Sequence, residues 1–233
     1  MRAHLPISAQ DAASPQALVL DFGGVITRTL FETHEMTERA LGLAPGTLTW
    51  RGPFDPDTDA PWQAMQRGEM TERDYWALRT REVAALVGAD WQQMSQFVRA
   101  ARGADPQAVI RPEAVEAIAA ARRAGVKLGI LSNELDLFYG EDFRHRLAVL
   151  AEFDAIIDAT HTGILKPDPR AYAAIARALD VAPAACVFVD DQPRNVAGAQ
   201  AAGMIAVAFD VRDPAASYAA ALSRFGLSVG VTP

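Results

Sequence analysis

Five short apolar runs, each closed by small or polar residues and followed by an alanine-rich helical pattern, set the strongest limit on how this chain folds. They are Ala17-Leu18-Val19-Leu20, Val126 to Leu131, Phe153 to Ile157, Cys186 to Val189 and Ile205 to Phe209. Runs of this length with β-branched content suit strands buried on both faces of a parallel sheet. Helix punctuation fills the intervals. Pro112 opens a segment that Gly125 stops, Pro169 opens another, Asn195 to Ala202 ends at Gly203, and Ala215 to Phe225 ends at Gly226. Proline suits a first helical turn and glycine a helix end. The alternation predicts an α/β fold, a doubly wound parallel sheet with crossover helices.

The stretch after the first run differs in character. Residues 30–108 hold all four tryptophans, Trp50, Trp62, Trp76 and Trp91, and no strand pattern. Thr71 begins a helical pattern that runs to about Val87, Asp90 is expected to cap another through about Ala101, and Arg51 to Pro61 reads as an irregular loop. The expected division is a flexible segment 1–15, an α/β core of 16–29 and 109–233, and an inserted helical cap, 30–108. The tryptophans read as helix-packing core, with Trp50 and Trp62 as lesser candidates for a pocket wall.

Composition narrows the function classes. Half the residues are apolar and 22% are charged, so the chain has the material for a sizeable core rather than for disorder. The 22 Lys and Arg against 29 Asp and Glu leave a net charge of −7, which opposes nucleic acid and anionic membrane as partners. No apolar run approaches the ~18 residues of a membrane span, and the first residues show no signal-peptide core. A cytoplasmic location is the resulting expectation, and oligomeric state stays open. The single cysteine, Cys186, excludes an intramolecular disulfide and sits in an apolar run as a small hydrophobe.

The polar residues directly after the runs are Asp21, the pair Ser132 and Asn133, and the pair Asp190 and Asp191; Lys166 follows the third run. Open α/β sheets bind ligands beyond the carboxyl ends of their strands, so these residues converge on one edge. Alone, Asp21 reads as a helix cap and Lys166 as a surface lysine. Together they form a constellation. A carboxylate at Asp21, before Gly23 and Gly24, can attack phosphorus. Asp190 and Asp191 repel unless a cation intervenes, and with Asp21 they make a hard-oxygen site suited to Mg²⁺. Lys166 supplies positive charge to a transferring phosphoryl group, and the Ser132 hydroxyl can hold a phosphate oxygen.

Four segments in order, Asp21-Phe-Gly-Gly-Val-Ile-Thr27, Leu128-Gly-Ile-Leu-Ser132-Asn133, Lys166-Pro-Asp-Pro-Arg-Ala-Tyr172 and Val187-Phe-Val-Asp190-Asp191 through Asn195 and Gly198, resemble the signatures of the haloacid dehalogenase-like hydrolases. The resemblance is to members with a helical cap inserted after the first strand, and it spans roughly residues 16–225. It implies a Rossmann-like core and a Mg²⁺-dependent phosphomonoester hydrolase acting on a small phosphorylated metabolite through an aspartyl-phosphate. Asp21, Ser132 and Lys166 would be catalytic, Ser132, Asn133 and Lys166 would bind phosphate, and Asp21, the Gly23 carbonyl, Asp190 and Asp191 would hold the metal. Asn195 would orient the acidic loop.

One departure matters. The phosphatases of that family carry an acid–base aspartate two residues after the nucleophile, where this chain has Gly23. Such help is worth ~10²–10⁴-fold. Turnover is therefore expected to be slow or to borrow a proton, with His34 and His161 as candidates. A glycine held at positive φ beneath a cap would oppose restoring the aspartate. A metal-free 2-haloacid dehalogenase is the alternative enzyme, which the acidic pair disfavours. A catalytically weakened domain that binds a phospho-ligand or a protein is the non-enzymatic one.

Overall fold

The computed structural model describes residues 14–102, 105–140 and 145–228. Its strands are β1 (Ala17–Leu20), β2 (Lys127–Ser132), β3 (Ala155–Asp158), β4 (Cys186–Asp190) and β5 (Ile205–Ala208). Its α-helices are α1 (His34–Leu41), α2 (Ala60–Gln66), α3 (Glu72–Val87), α4 (Met94–Arg102), α5 (Pro112–Arg123), α6 (Leu135–Tyr139), α7 (Ala159–Thr162), α8 (Pro169–Ala178), α9 (Pro193–Ala201) and α10 (Pro214–Ser223). The strands form one parallel sheet in the order β3-β2-β1-β4-β5. All five apolar runs are strands, with the third displaced to begin at Ala155 and end on Asp158. Residues 1–13 of the expected flexible segment lie outside the described residues.

The pleat explains why these runs carry no polar face. Successive side chains point to opposite sides of a strand. Leu18, Leu20, Leu128, Ile130, Val187 and Val189 therefore join one buried cluster, which α5 and α10 complete with Ala117, Ile118, Tyr218 and Leu222. Ala17, Val19, Leu131, Cys186 and Phe188 enter the other, closed by α8 and α9 with Tyr172, Ile175 and Ala199. Burying each large apolar side chain contributes about 1.5–3 kcal/mol, so helices on both faces are the stable outcome. Burial also pushes the Cys186 thiol up to about 11, in keeping with an inert small hydrophobe.

Between β1 and β2 the chain forms α1 to α4 and no strand among the described residues. Helix α3 begins where its pattern was expected to start, and the Thr71 hydroxyl caps it by accepting from the Asp74 N–H at 3.1 Å. Asp90 does not cap α4. The Gln96 side chain accepts the N–H groups of Gln92 and Gln93 at 2.8 and 2.9 Å instead, and the helix begins at Met94. The segment read as an irregular loop contains two single turns, and its end belongs to α2 because Asp59 accepts the Trp62 N–H at 3.0 Å. Phe31 stands edge-on to Trp50 and Trp62, with centroids 5.4 and 5.2 Å away. The outgoing and returning chains pair where they cross. Thr27 and Ile110 form an antiparallel bridge, the Arg28 N–H donates to Val109 O at 2.7 Å, and Arg111 grips Glu32 through both guanidinium ends. No helix among the described residues is long and apolar enough to cross a membrane.

Candidate active site

Strand register assembles the site. Leu20 pairs with Ile130 on one side and Val189 on the other, so Asp21 emerges level with Leu131 and Asp190. Order in the sheet reverses between β1 and β4, the switch point at which open α/β folds present a crevice. The Asp21 N–H donates to Val189 O at 2.9 Å, and its carboxylate accepts the Phe22 N–H at 2.7 Å. Lys166 bridges the two neighbouring chain ends. Its Nζ lies 2.8 Å from Asp21 Oδ1 and 2.7 Å from Asp190 Oδ2, with 3% of the residue exposed.

The remaining polar residues hold this bridge in place. Asn133 clamps the Lys166 backbone, accepting its N–H at 2.7 Å and donating to its carbonyl at 3.2 Å. Asn133 thereby positions the lysine while itself lining the cleft. Asn195 Nδ2 donates to both oxygens of Asp190 at 3.0 and 3.2 Å, and the Gln192 N–H adds a third bond at 2.8 Å. Carboxylate oxygens of Asp21, Asp190 and Asp191 all lie within 4.8 Å of one another.

Gly24 and Gly23 do different work. Gly24 has φ +79°, and a Cβ there would stand 2.7 Å from Asp191 Oδ2, so only glycine lets the acidic loop close in. Gly23 has φ −68° and ψ 130°, and no atom lies within 4 Å of where its Cβ would be. Neither the positive φ nor the crowding that would oppose a side chain is present at this position.

Charge in the site is unbalanced. Three carboxylates face one ammonium. Burial, opposed by Lys166 and reinforced by Asp190, pushes Asp21 up to about 7. Burial and the charges of Asp190 and Asp21 hold Asp191 well above the carboxylate range. Burial disfavours the Lys166 charge, but Asp190 and Asp21 overcome it and raise the pKa. A hard divalent cation would relieve the excess, and an all-oxygen donor set with a buried, unpartnered Asn195 Oδ1 beside it fits Mg²⁺.

A pH-dependent consequence follows. Asp21 and Asp191 are raised above their unfolded values, so without metal their protonation favours the fold; the Asp21 contribution fades as pH climbs from about 4 through about 7, and that of Asp191 is likewise lost with rising pH. A divalent cation bound by the three carboxylates would take the proton's place above that window. Its stabilisation, read as the Tm difference between Mg²⁺ and EDTA, is expected to be larger at pH 8 than at pH 5. Equal shifts at both would contradict the site.

The cleft above the bridge is lined by Asp21, Gly23, Ser132, Asn133, Lys166 and Asp191, by Phe31, Trp62, Trp76 and Phe138, and by Glu72, Arg102 and Glu134. Trp62 reaches it, and Trp50 does not. Neither histidine does. His34 packs edge-on against Trp50 at 4.2 Å, and burial, with Arg51 adding to it, lowers its pKa to about 4. His161 Nε2 is held 2.6 Å from Asp136 Oδ2 and lines a separate hollow. Sequence reasoning missed Glu72, Arg102 and Glu134. Adjacency to Ser132-Asn133 was an available signal for Glu134; Glu72 and Arg102 carry no local pattern that links them to the strand ends.

A model of the haloacid dehalogenase-like hydrolases matches residues 15–203. Phosphatase MT3486 of Mycobacterium tuberculosis is 40% identical over 99 residues, 42% of this chain, and the match spans less than half, 46%, of that relative's length. Beta-phosphoglucomutase of Bacillus subtilis is 25% identical over 201 residues, 82% of each chain. Among solved structures, L-2-haloacid dehalogenase from Xanthobacter autotrophicus superposes with a TM-score of 0.54 at 24% identity, over 84% of this chain and 77% of that one, a likeness of fold.

Proposed function

The chain belongs to the haloacid dehalogenase-like hydrolase family, and from that premise we propose that it hydrolyses a small phosphomonoester through an aspartyl-phosphate on Asp21, with Mg²⁺ as cofactor. The observation that carries the reading is the buried Lys166 bridge between Asp21 and Asp190 beneath a third carboxylate. A phosphatase needs a carboxylate nucleophile, a fixed positive charge for the phosphoryl oxygens and a cation site, and one cleft supplies all three. Similarity to the mycobacterial phosphatase supports this reading.

In the first step an Asp21 oxygen bonds to phosphorus, the bond to the leaving oxygen breaks, and Lys166 offsets the charge gathered on the phosphoryl group. In the second, water attacks the aspartyl-phosphate, releasing phosphate and restoring Asp21. The Ser132 hydroxyl holds a phosphoryl oxygen. Mg²⁺, held by Asp21, the Gly23 carbonyl, Asp190 and Asp191, would neutralise charge shared between nucleophile and phosphate. Helices α1 to α4 act as the cap, excluding bulk water and large substrates. A dehalogenase has no use for the two extra carboxylates beside its nucleophile, which disfavours that reading.

Turnover of p-nitrophenyl phosphate and of 2-chloropropionate, each with Mg²⁺ and with EDTA, tests the reading. Mg²⁺-dependent phosphate release is expected. Chloride release that survives EDTA would replace it with a dehalogenase, and binding of phospho-ligands without turnover would replace it with a binding domain.

Gly23 adds a further expectation. Without a proton donor at that position, kcat/KM falls steeply as leaving-group pKa rises, favouring aryl and acyl over alkyl phosphates. The open space and negative φ at Gly23 admit an aspartate. Gly23→Asp is expected to accelerate alkyl phosphates by about 10²-fold, the lower end of general-acid effects, with little change for aryl phosphates. A flat leaving-group dependence in the parent enzyme, with chemistry rate-limiting, would show that another residue already protonates the leaving group.

A further inference from the structure

Two buried, oppositely charged side chains line the cleft without pairing to each other, and each leaves a polar atom unmet. Arg102, at the end of α4, is 6% exposed. Its Nη1 donates to Thr33 Oγ1 at 2.7 Å and its Nη2 to the Arg28 carbonyl at 3.0 Å, with the Tyr139 hydroxyl adjoining. Its Nε–H is buried and has no partner. Among the described residues no carboxylate forms an ion pair with it; Glu32, whose charge reaches it, is gripped by Arg111. Burial accordingly lowers its pKa.

Glu134, directly after Ser132-Asn133, is 8% exposed. Its Oε1 accepts from Arg73 Nε at 2.9 Å, while Oε2 is buried without a partner. Glu134 immediately precedes α6, and α6 packs on α4, which ends with Arg102. Interiors leave few such atoms unsatisfied, and a buried cation without counter-charge is costly. The transferring phosphate is already served by Lys166 and Ser132. A second anion is therefore what Arg102 lacks, and a hydrogen-bond donor is what Glu134 lacks. A guanidinium fork suits a planar carboxylate. Phe31, Trp76 and Phe138 supply apolar wall in the same cleft.

We propose that Arg102 and Glu134 select the leaving group: the substrate is a phosphomonoester whose leaving group carries a carboxylate, recognised by Arg102, and a neighbouring hydroxyl or ammonium, recognised by Glu134. The inference rests on the phosphatase reading of the cleft. It is tested without turnover, by calorimetry on the Asp21→Asn protein with Mg²⁺, using propyl phosphate, phosphoethanolamine, 3-phosphooxypropanoate, 3-phosphoglycerate and O-phosphoserine.

The carboxylate of 3-phosphooxypropanoate is expected to tighten Kd by about tenfold over propyl phosphate, since hydrogen bonds to charged groups are worth that much or more. A further gain is expected for 3-phosphoglycerate or O-phosphoserine, and whichever gains more identifies the donor as hydroxyl or ammonium. Arg102→Gln is expected to erase the carboxylate increment, with partial return in Arg102→Lys, and Glu134→Gln the donor increment. Increments below about twofold in the parent, or increments that persist in these variants, overturn the proposal. Because Arg102 also tethers Thr33 and Arg28, the five-ester comparison in the parent decides alone if its variants fail to fold. Wild-type hydrolysis of p-nitrophenyl phosphate with a flat Kd series sinks this inference only. Absence of hydrolysis of p-nitrophenyl phosphate and of all five esters sinks the phosphatase reading, and with it the claim that these residues select a leaving group, even where Kd increments appear.

Discussion

Asp21→Asn is expected to lower kcat for phosphomonoester hydrolysis by at least about 10⁴-fold, the scale seen when a covalent nucleophile is removed. An amide retains the shape of the carboxylate but not its nucleophilic charge, so neither step of the proposed cycle can proceed. The fold should tolerate the change. Asp21 is one of three carboxylates around a single lysine, and burial already drives it towards its neutral form. Removing its charge eases the repulsion on Asp190 and Asp191, and in EDTA the variant should melt no lower than the parent. Single-turnover assays with a radiolabelled phosphate ester check both halves: no labelled protein should accumulate, and Tm should hold. Full activity in the variant, with contaminating phosphatase excluded, would remove the covalent mechanism.

Lys166→Met removes the charge on which two carboxylates depend. Its Nζ is the ammonium within 2.8 Å of both Asp21 and Asp190, and Asp190 is fully buried. Breaking a buried pair by deleting one partner costs about 3–5 kcal/mol. For a chain of this length that corresponds to roughly 2–4 °C of Tm per kcal/mol. Activity should fall as well, by about 10²–10³-fold, the cost of losing one preorganised electrostatic contact to the reacting group. The two losses separate in the double variant Lys166→Met/Asp190→Asn, which relieves the stranded charge. Stability should return there while activity stays low. If the single variant melts with the parent in EDTA, the bridge is not a stabilising feature of the fold.

Much of the sheet was legible in the sequence because strand identity is a local property. Leu18 and Val19 are both apolar because a central parallel strand is buried on both faces, and that signature needs no tertiary information. Thr71 ahead of Glu72 and Pro169 after Asp168 announce helix starts for equally local reasons. The start of α4 was not legible. Asp90 has the right chemistry for a cap, yet the Gln96 side chain took the free N–H groups. Propensity ranks the competitors for an N-terminus without saying which of them reaches it.

The sequence by itself determined which residues stand at the carboxyl ends of the strands, and therefore that Asp21, Ser132, Asp190 and Asp191 share one edge. Any parallel sheet delivers that result, since its strands point the same way. Only the tertiary structure decided what these residues do to one another. Strand order set Asp21 beside Asp190, and a lysine 145 positions beyond Asp21 closed the gap between them. Packing turned His34 into the aromatic cluster and away from the cleft, and brought Glu72 and Arg102 of the inserted helices to its wall. Gly23 and Gly24 are identical letters with opposite consequences, because only the approach of Asp191 makes one of them irreplaceable. Spacing along the chain encodes periodicity. Distances across the cleft arise from how separate elements pack, and no local pattern records them.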